Sequence, residues 1–113
     1  MNPKEYFAQL AKERAKRPAI RASGLEALQR LVPIAQHDSG QSRTVGRFLL
    51  GLYNGVAYSF NLVELRGLDE PLFEDCLVVL RLDRRPEREV HEYFKNGDAI
   101  WTDFRKRWGS SDG

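Results

Sequence analysis

Apolar residues in this chain recur at steps of three and four, and that spacing limits the fold more than any other feature. Leu25, Leu28, Val32 and Ala35 form one series, and Val45, Phe48, Leu49 and Leu52 a second. Leu72, Phe73, Cys76, Leu77 and Leu80 form a third, and Trp101, Phe104 and Trp108 a fourth. A turn of about 3.6 residues brings each series onto one side of a helix. Four such faces in 113 residues are enough to close over one shared core without a metal or a disulfide. The predicted fold class is therefore all-α, a compact single-domain bundle of about six helices. Helices starting near Ser42, Asp69 and Asp98 are expected to supply most of its core.

Local signals place the helix ends. Asn2, Pro3 and Glu5 have the pattern of a capped helix start, followed by an apolar stripe of Tyr6, Phe7, Leu10 and Ala11 that fades. Pro18 lacks an amide donor and is expected to stop or kink that helix, which makes residues 16–22 a connector. Ser23 with Glu26 has the spacing of a capping box for the next helix, within which Pro33 predicts a kink or a restart. His37, Asp38, Ser39 and Gly40 predict a turn, with Gly40 at positive φ. The helix from Ser42 or Arg43 is expected to end at Asn54, with Gly55 as a left-handed terminator. Asn54-Gly55 is also a hairpin signature, and Val56, Tyr58 and Phe60 alternate as a strand would. An α+β fold with one β-hairpin around Asn54-Gly55 is thus the alternative, and a buried strand at residues 76–80 is the alternative to the helix there.

Farther on, Asn61 and Glu64 frame a short apolar piece that Gly67 closes. Asp69 caps a helix with Pro71 in its first turn, where Glu70 and Glu74 suit the positive end of the backbone dipole. Pro86 is expected to open a further helix with Val90, Tyr93 and Phe94 inward and Gly97 at its end. Asp98 caps the last helix, whose Arg105, Lys106 and Arg107 suit a negative end. No internal repeat or heptad seam is legible.

Charge divides the chain. Residues 1–22 carry six positive and two negative side chains, for +4, and the rest carry twelve and fourteen, for −2. The division predicts a basic, partly helical N-terminal arm at 1–22, a helical globular domain at 23–109 and a disordered tail at 110–113. The net charge of +2 is too small to specify a partner. A single cysteine, Cys76, excludes an internal disulfide and suggests a reducing, cytoplasmic setting. The first 22 residues lack the apolar run of a secretory signal. The uncharged run at 48–63 contains Asn54, Ser59 and Asn61 and falls short of the roughly 20 apolar residues that span a bilayer. No membrane association is expected.

Reactive constellations are sparse. His37, Asp38 and Ser39 are the residue types of a hydrolytic triad, but three consecutive side chains diverge. Glu87 and His91 lie four apart and make at most half a metal site, without a second histidine nearby. Gly46, Gly51 and Gly55 lack the Lys-Ser/Thr ending of a phosphate loop. Cys76 sits on an apolar face beside Glu74 and Asp75, an inert setting for a thiol. No catalytic residue, cofactor or metal ligand is therefore expected, and the chain reads as a non-enzyme.

The most suggestive arrangement is a pair of helices joined through residues 37–41, because the second opens with Gln41, Ser42, Arg43 and Thr44 and continues to Arg47. Those side chains suit base edges and phosphates in a helix-turn-helix reader, with Lys12, Lys16 and Arg17 of the arm as a phosphate clamp. Pro33 and the apolar spacing around the turn fit that motif poorly, and Arg43 and Arg47 also suit pairing with the acidic Asp69 helix. The preferred reading is a non-enzymatic interaction or regulatory module that meets an unknown protein partner through residues 36–47. A DNA-binding regulator is the alternative, and a small enzyme a distant third. The oligomeric state is left open.

Several segments together resemble one family: residues 24–28, residues 36–42 from Gln36 to Ser42, Phe48-Leu49-Leu50-Gly51-Leu52-Tyr53-Asn54-Gly55, Leu72-Phe73-Glu74-Asp75-Cys76-Leu77 and Glu89-Val90-His91-Glu92-Tyr93-Phe94. The family is one of small, uncharacterised, typically proteobacterial proteins, often encoded on integrative elements and plasmids. The likeness covers residues 23–109 and leaves the basic arm outside. It implies a bacterial cytosolic accessory protein and adds weight to residues 36–43 as a contact surface. It brings no catalytic residues with it.

Overall fold

A computed structural model describes residues 1–110, so all but the first position of the expected tail lies outside the described residues. Four α-helices, α1 (Pro3–Ala35), α2 (Gly40–Tyr53), α3 (Glu70–Asp83) and α4 (Gly97–Trp108), are joined by 3-10 helices at Leu62–Gly67 and Val90–Tyr93. No strand occurs among the described residues, and the all-α class holds over the hairpin alternative. At Asn54 the chain leaves α2 through a turn in which the Asn54 carboxamide oxygen accepts from the Ala57 amide at 3.0 Å. Asparagine thus supplies the stop expected of Gly55, and no described residue has a positive φ, Gly40 and Gly55 included.

The main correction concerns α1. Asn2 caps it as expected, accepting from the Glu5 amide at 2.8 Å, but the helix then runs through Pro18 and Pro33 without a connector. Pro18 and Arg14, the residue whose carbonyl loses its partner, are both exposed, so water can replace the missing amide. Pro33 stands two residues from the helix end, where little ladder remains to be disrupted. Ser23 is consequently a mid-helix residue and caps nothing.

Only the second half of α1 is covered. Ala27, Leu28, Leu31, Val32 and Ala35 are buried, which makes α1, ahead of α2, α3 and α4, the largest single contributor to the core. Helix α3 lies antiparallel against it: Arg30 grips Asp75 through two bonds of 2.8 and 3.0 Å, Gly24 abuts Leu82, and Arg21 pairs with Glu87 at 2.9 Å. Helix α4 lies antiparallel to α2, with the Trp101 indole donating to the Leu49 carbonyl at 3.2 Å and Trp108 resting on Gly46. Trp101 and Phe104 meet edge to face at 5.2 Å within the same core.

The helix expected from Pro86 shrinks to one 3-10 turn. Residues 84–89 are exposed and offer no apolar face, so burial begins only at Val90 and continues in part at Tyr93 and Phe94. Glu92 accepts from the Glu89 amide at 2.9 Å and closes that turn. Gly97 begins α4 instead of ending a helix, and a Cβ there would fall 1.7 Å from the His91 carbonyl oxygen.

Gly24 sets the distance between α1 and α3, since a Cβ at that position would sit 2.5 Å from the Leu82 Cβ. Alanine normally stabilises a helix interior by about 1 kcal/mol over glycine. Gly24→Ala is expected to do the opposite and destabilise by about 1–3 kcal/mol through overpacking, measured by urea unfolding.

Candidate interaction surface

Residues 36–47 were expected to face a partner, and much of their polar chemistry is turned inward. Gln41 bridges two elements, donating to the Gly67 carbonyl at 2.7 Å and accepting from the Asp69 amide at 2.9 Å. It thereby joins the end of one 3-10 helix to the start of α3. Ser42 is buried and bonds Ser39, whose hydroxyl caps α2 by accepting from the Ser42 amide at 3.0 Å. Arg47 donates to the Ser110 carbonyl at 2.8 Å and lies 3.6 Å from Glu64, so its acidic neighbour belongs to the 3-10 helix and not to α3. Arg43 is exposed and Thr44 half-buried on the same helix.

The turn itself is clasped from α4. The Arg107 guanidinium donates to the carbonyls of Ala35, Gln36 and His37 at 3.3, 2.7 and 3.2 Å, and the Trp108 indole donates to Ala35 at 2.9 Å. Helix α1 has no basic residue in its own last turn, and Arg107 provides the positive charge that its carbonyl end favours. His37, Asp38 and Ser39 do not converge on a common point; Ser39 is used as the α2 cap.

Other titratable groups have structural settings. Glu87 turns to Arg21, so the Glu87–His91 pair does not form. His91 instead packs edge-on against Tyr53 at 5.0 Å and lies 3.5 Å from Asp98. Among the described residues no three of His, Cys, Asp and Glu gather as metal ligands. Burial first, and Asp75 second, push the Cys76 thiol up to about 12, far from a reactive thiolate. Burial and then Glu89 also raise the Asp83 carboxyl above the ordinary aspartate range.

The remaining predicted residues, Lys12, Lys16 and Arg17, lie on the first half of α1, which is exposed along most of its length. A helix of 33 residues is about 50 Å long, equal to the 50 Å long axis of the molecule. Helix α3 has only 14 residues, about 21 Å, so α1 overshoots it. Past the end of α3, Arg17 donates to the Arg85 carbonyl, and a groove of about 530 Å³ opens between the two helices. Tyr6, Leu10 and Ile20 give it apolar patches, while Arg14, Lys16 and Arg17 from α1 face Arg81, Arg84 and Arg85 from the α3 end.

Sequence reasoning missed half of this surface, because Arg81, Arg84 and Arg85 are remote from the arm in sequence. It also missed a seam. Tyr6, Leu10, Glu13, Arg17, Ile20, Gly24, Ala27 and Leu31 follow one another at steps of four and three, and burial rises along the line from exposed Tyr6 to buried Leu31. Charged Glu13 and Arg17 interrupt its apolar pattern and, with Pro18, conceal it.

Fold and surface together define a helical module built on an antiparallel pair of unequal helices, the longer carrying a projecting basic half. The chain belongs to the family of unknown function DUF7673, whose profile matches residues 25–109 and leaves that projecting half outside the match. No curated protein and no solved structure matches the chain. Among the described residues no helix is long and apolar enough to cross a membrane.

Two measurements check these assignments. Gln41→Ala removes the two bonds that tie α2 to the end of the 3-10 helix and to the start of α3 and is expected to cost about 1–2 kcal/mol in urea unfolding. A carboxyl raised in the folded state adds stability while protonated and loses it as pH rises through that raised value. Asp83→Asn is therefore expected to unfold at a higher temperature than wild type at pH 7, the gain shrinking as pH falls toward about 4.

Proposed function

We propose that this chain is a non-enzymatic interaction module whose contact surface is the groove between the projecting half of α1 and the end of α3. The observation that carries the reading is six cations, three from α1 and three from the end of α3 and the residues just past it, set with the single acid Glu13 around apolar side chains. Clustered like charge is costly for a fold to hold unless a partner neutralises it, and here it surrounds apolar area still open to solvent. Residues 36–47 support a contact role less well, since Gln41, Ser42 and Arg47 already bond within the chain. The setting that goes with the reading is a bacterial cytoplasm, with the gene on an accessory or mobile element, as the family resemblance implies. A nucleic-acid backbone is the second reading, favoured by Lys16 and Arg17 lining the same groove as Arg84 and Arg85.

A photo-crosslinking residue in place of Tyr6, which lines the groove and is 52% exposed, tests the surface in cells of the native host. Cross-links to one partner are expected, lost on Arg84→Glu with Arg85→Glu and retained on Arg43→Ala. Cross-linking that ignores the double reversal would overturn the surface. Titration with mixed-sequence DNA at two salt concentrations separates the second reading, which requires steep weakening as salt rises.

A further inference from the structure

We propose that the groove receives an acidic amphipathic helix of another protein, lying in line with α3 along the exposed part of the α1 seam. The inference rests on the functional reading above and names the kind of partner. Its basis is register. Gly24, Ala27 and Leu31 of the seam are covered within the fold, and Gly24 meets Leu82 near the last turn of α3. Toward the N-terminus the same line continues through Ile20, Arg17 and Glu13 to Leu10 and Tyr6 after α3 has ended. A side-chain line spaced four and three along one helix is the surface that a second helix packs against. From Tyr6 to Glu13 that surface stands ready-made with no helix of this chain upon it.

Charge selects among occupants. A second copy of this chain would bring a second arm of +4 against the first, with two acidic residues in each to offset twelve basic ones in the pair. A nucleic-acid backbone would satisfy the cations and leave the apolar line uncovered, with Tyr6 52% exposed. A helix with apolar residues at the facing positions and glutamates beside them meets both demands: its apolar edge covers Tyr6 and Leu10, and its carboxylates reach Arg14, Lys16, Arg84 and Arg85.

The full chain can be titrated with a synthetic 21-residue helical peptide carrying leucines at the heptad a and d positions and glutamates at e and g. Controls are the same peptide with lysines at e and g, and a 20-nucleotide single strand. The glutamate peptide is expected to bind in the micromolar range, weaken at least about tenfold on Tyr6→Ala with Leu10→Ala, and weaken again at high salt. Both substituted residues lie on the projecting half, and circular dichroism verifies that the fold survives. Failure of the glutamate peptide to bind, equal binding of the lysine peptide, or indifference to the double substitution would each overturn the proposal. So would tighter binding of the single strand, or self-association of the chain at the concentrations used. The host cross-linking result stands independently: cross-links lost on charge reversal together with no peptide binding remove the helical partner and keep the surface.

Discussion

The close approach of α1 to α3 at Gly24 is the constraint on which the rest of the molecule depends. A single missing Cβ lets Leu82 press against the α1 backbone, and the Arg30–Asp75 pair fixes the register two turns away. With register set, the lengths of the two helices decide the shape. Helix α3 ends at Asp83 while α1 still has most of its first half to run, and the cations clustered where α3 stops follow from that mismatch. The groove is thus a product of unequal lengths more than of any special loop.

The opposite end of α1 shows why a helix pair with a short turn need not present that turn outward. Three carbonyls left over at the end of α1 are taken by Arg107, and the hydroxyl and carboxamide groups at the start of α2 close caps and bridges. Polar side chains at a helix start are the same residue types whether they read a ligand or satisfy a backbone, because both tasks call for short donors and acceptors. Geometry alone separates the two, and at Gln41 and Ser42 it assigns them to the backbone and its neighbours.

Much of the fold was legible in the sequence because apolar spacing marks α2, α3 and α4, although the expected starts shift: Ser39 caps α2, which opens at Gly40, and Asn96 precedes α4, leaving Asp98 inside its first turn. The boundary at Asn54 followed from the spacing of Val45, Phe48 and Leu49, even though Asn54-Gly55 argued for a hairpin. Pro18 misled because its cost depends on whether the deprived carbonyl can reach water, which a sequence does not state. Gly97 misled for a related reason: its value lies in the approach of the His91 carbonyl, a contact made through a turn that local propensity did not foresee. The groove was half legible. Lys16 and Arg17 stood out by charge, with Lys12, which lies outside the groove, whereas Arg81, Arg84 and Arg85 join them only through the antiparallel pairing of helices some sixty residues apart in the chain.

The hydrogen bond from Trp108 to Ala35 spans 73 positions and carries a consequence for how the molecule is made. As the polypeptide leaves the ribosome, α1 and α2 are complete long before the residues that clasp the turn between them exist. Until Arg107 and Trp108 emerge, the carbonyls at the end of α1 must be met by water and Gly46 faces an empty slot. The residues that fasten the turn are therefore made well after the helices they join, and a nascent chain halted before Arg107 would hold those helices without their fastener.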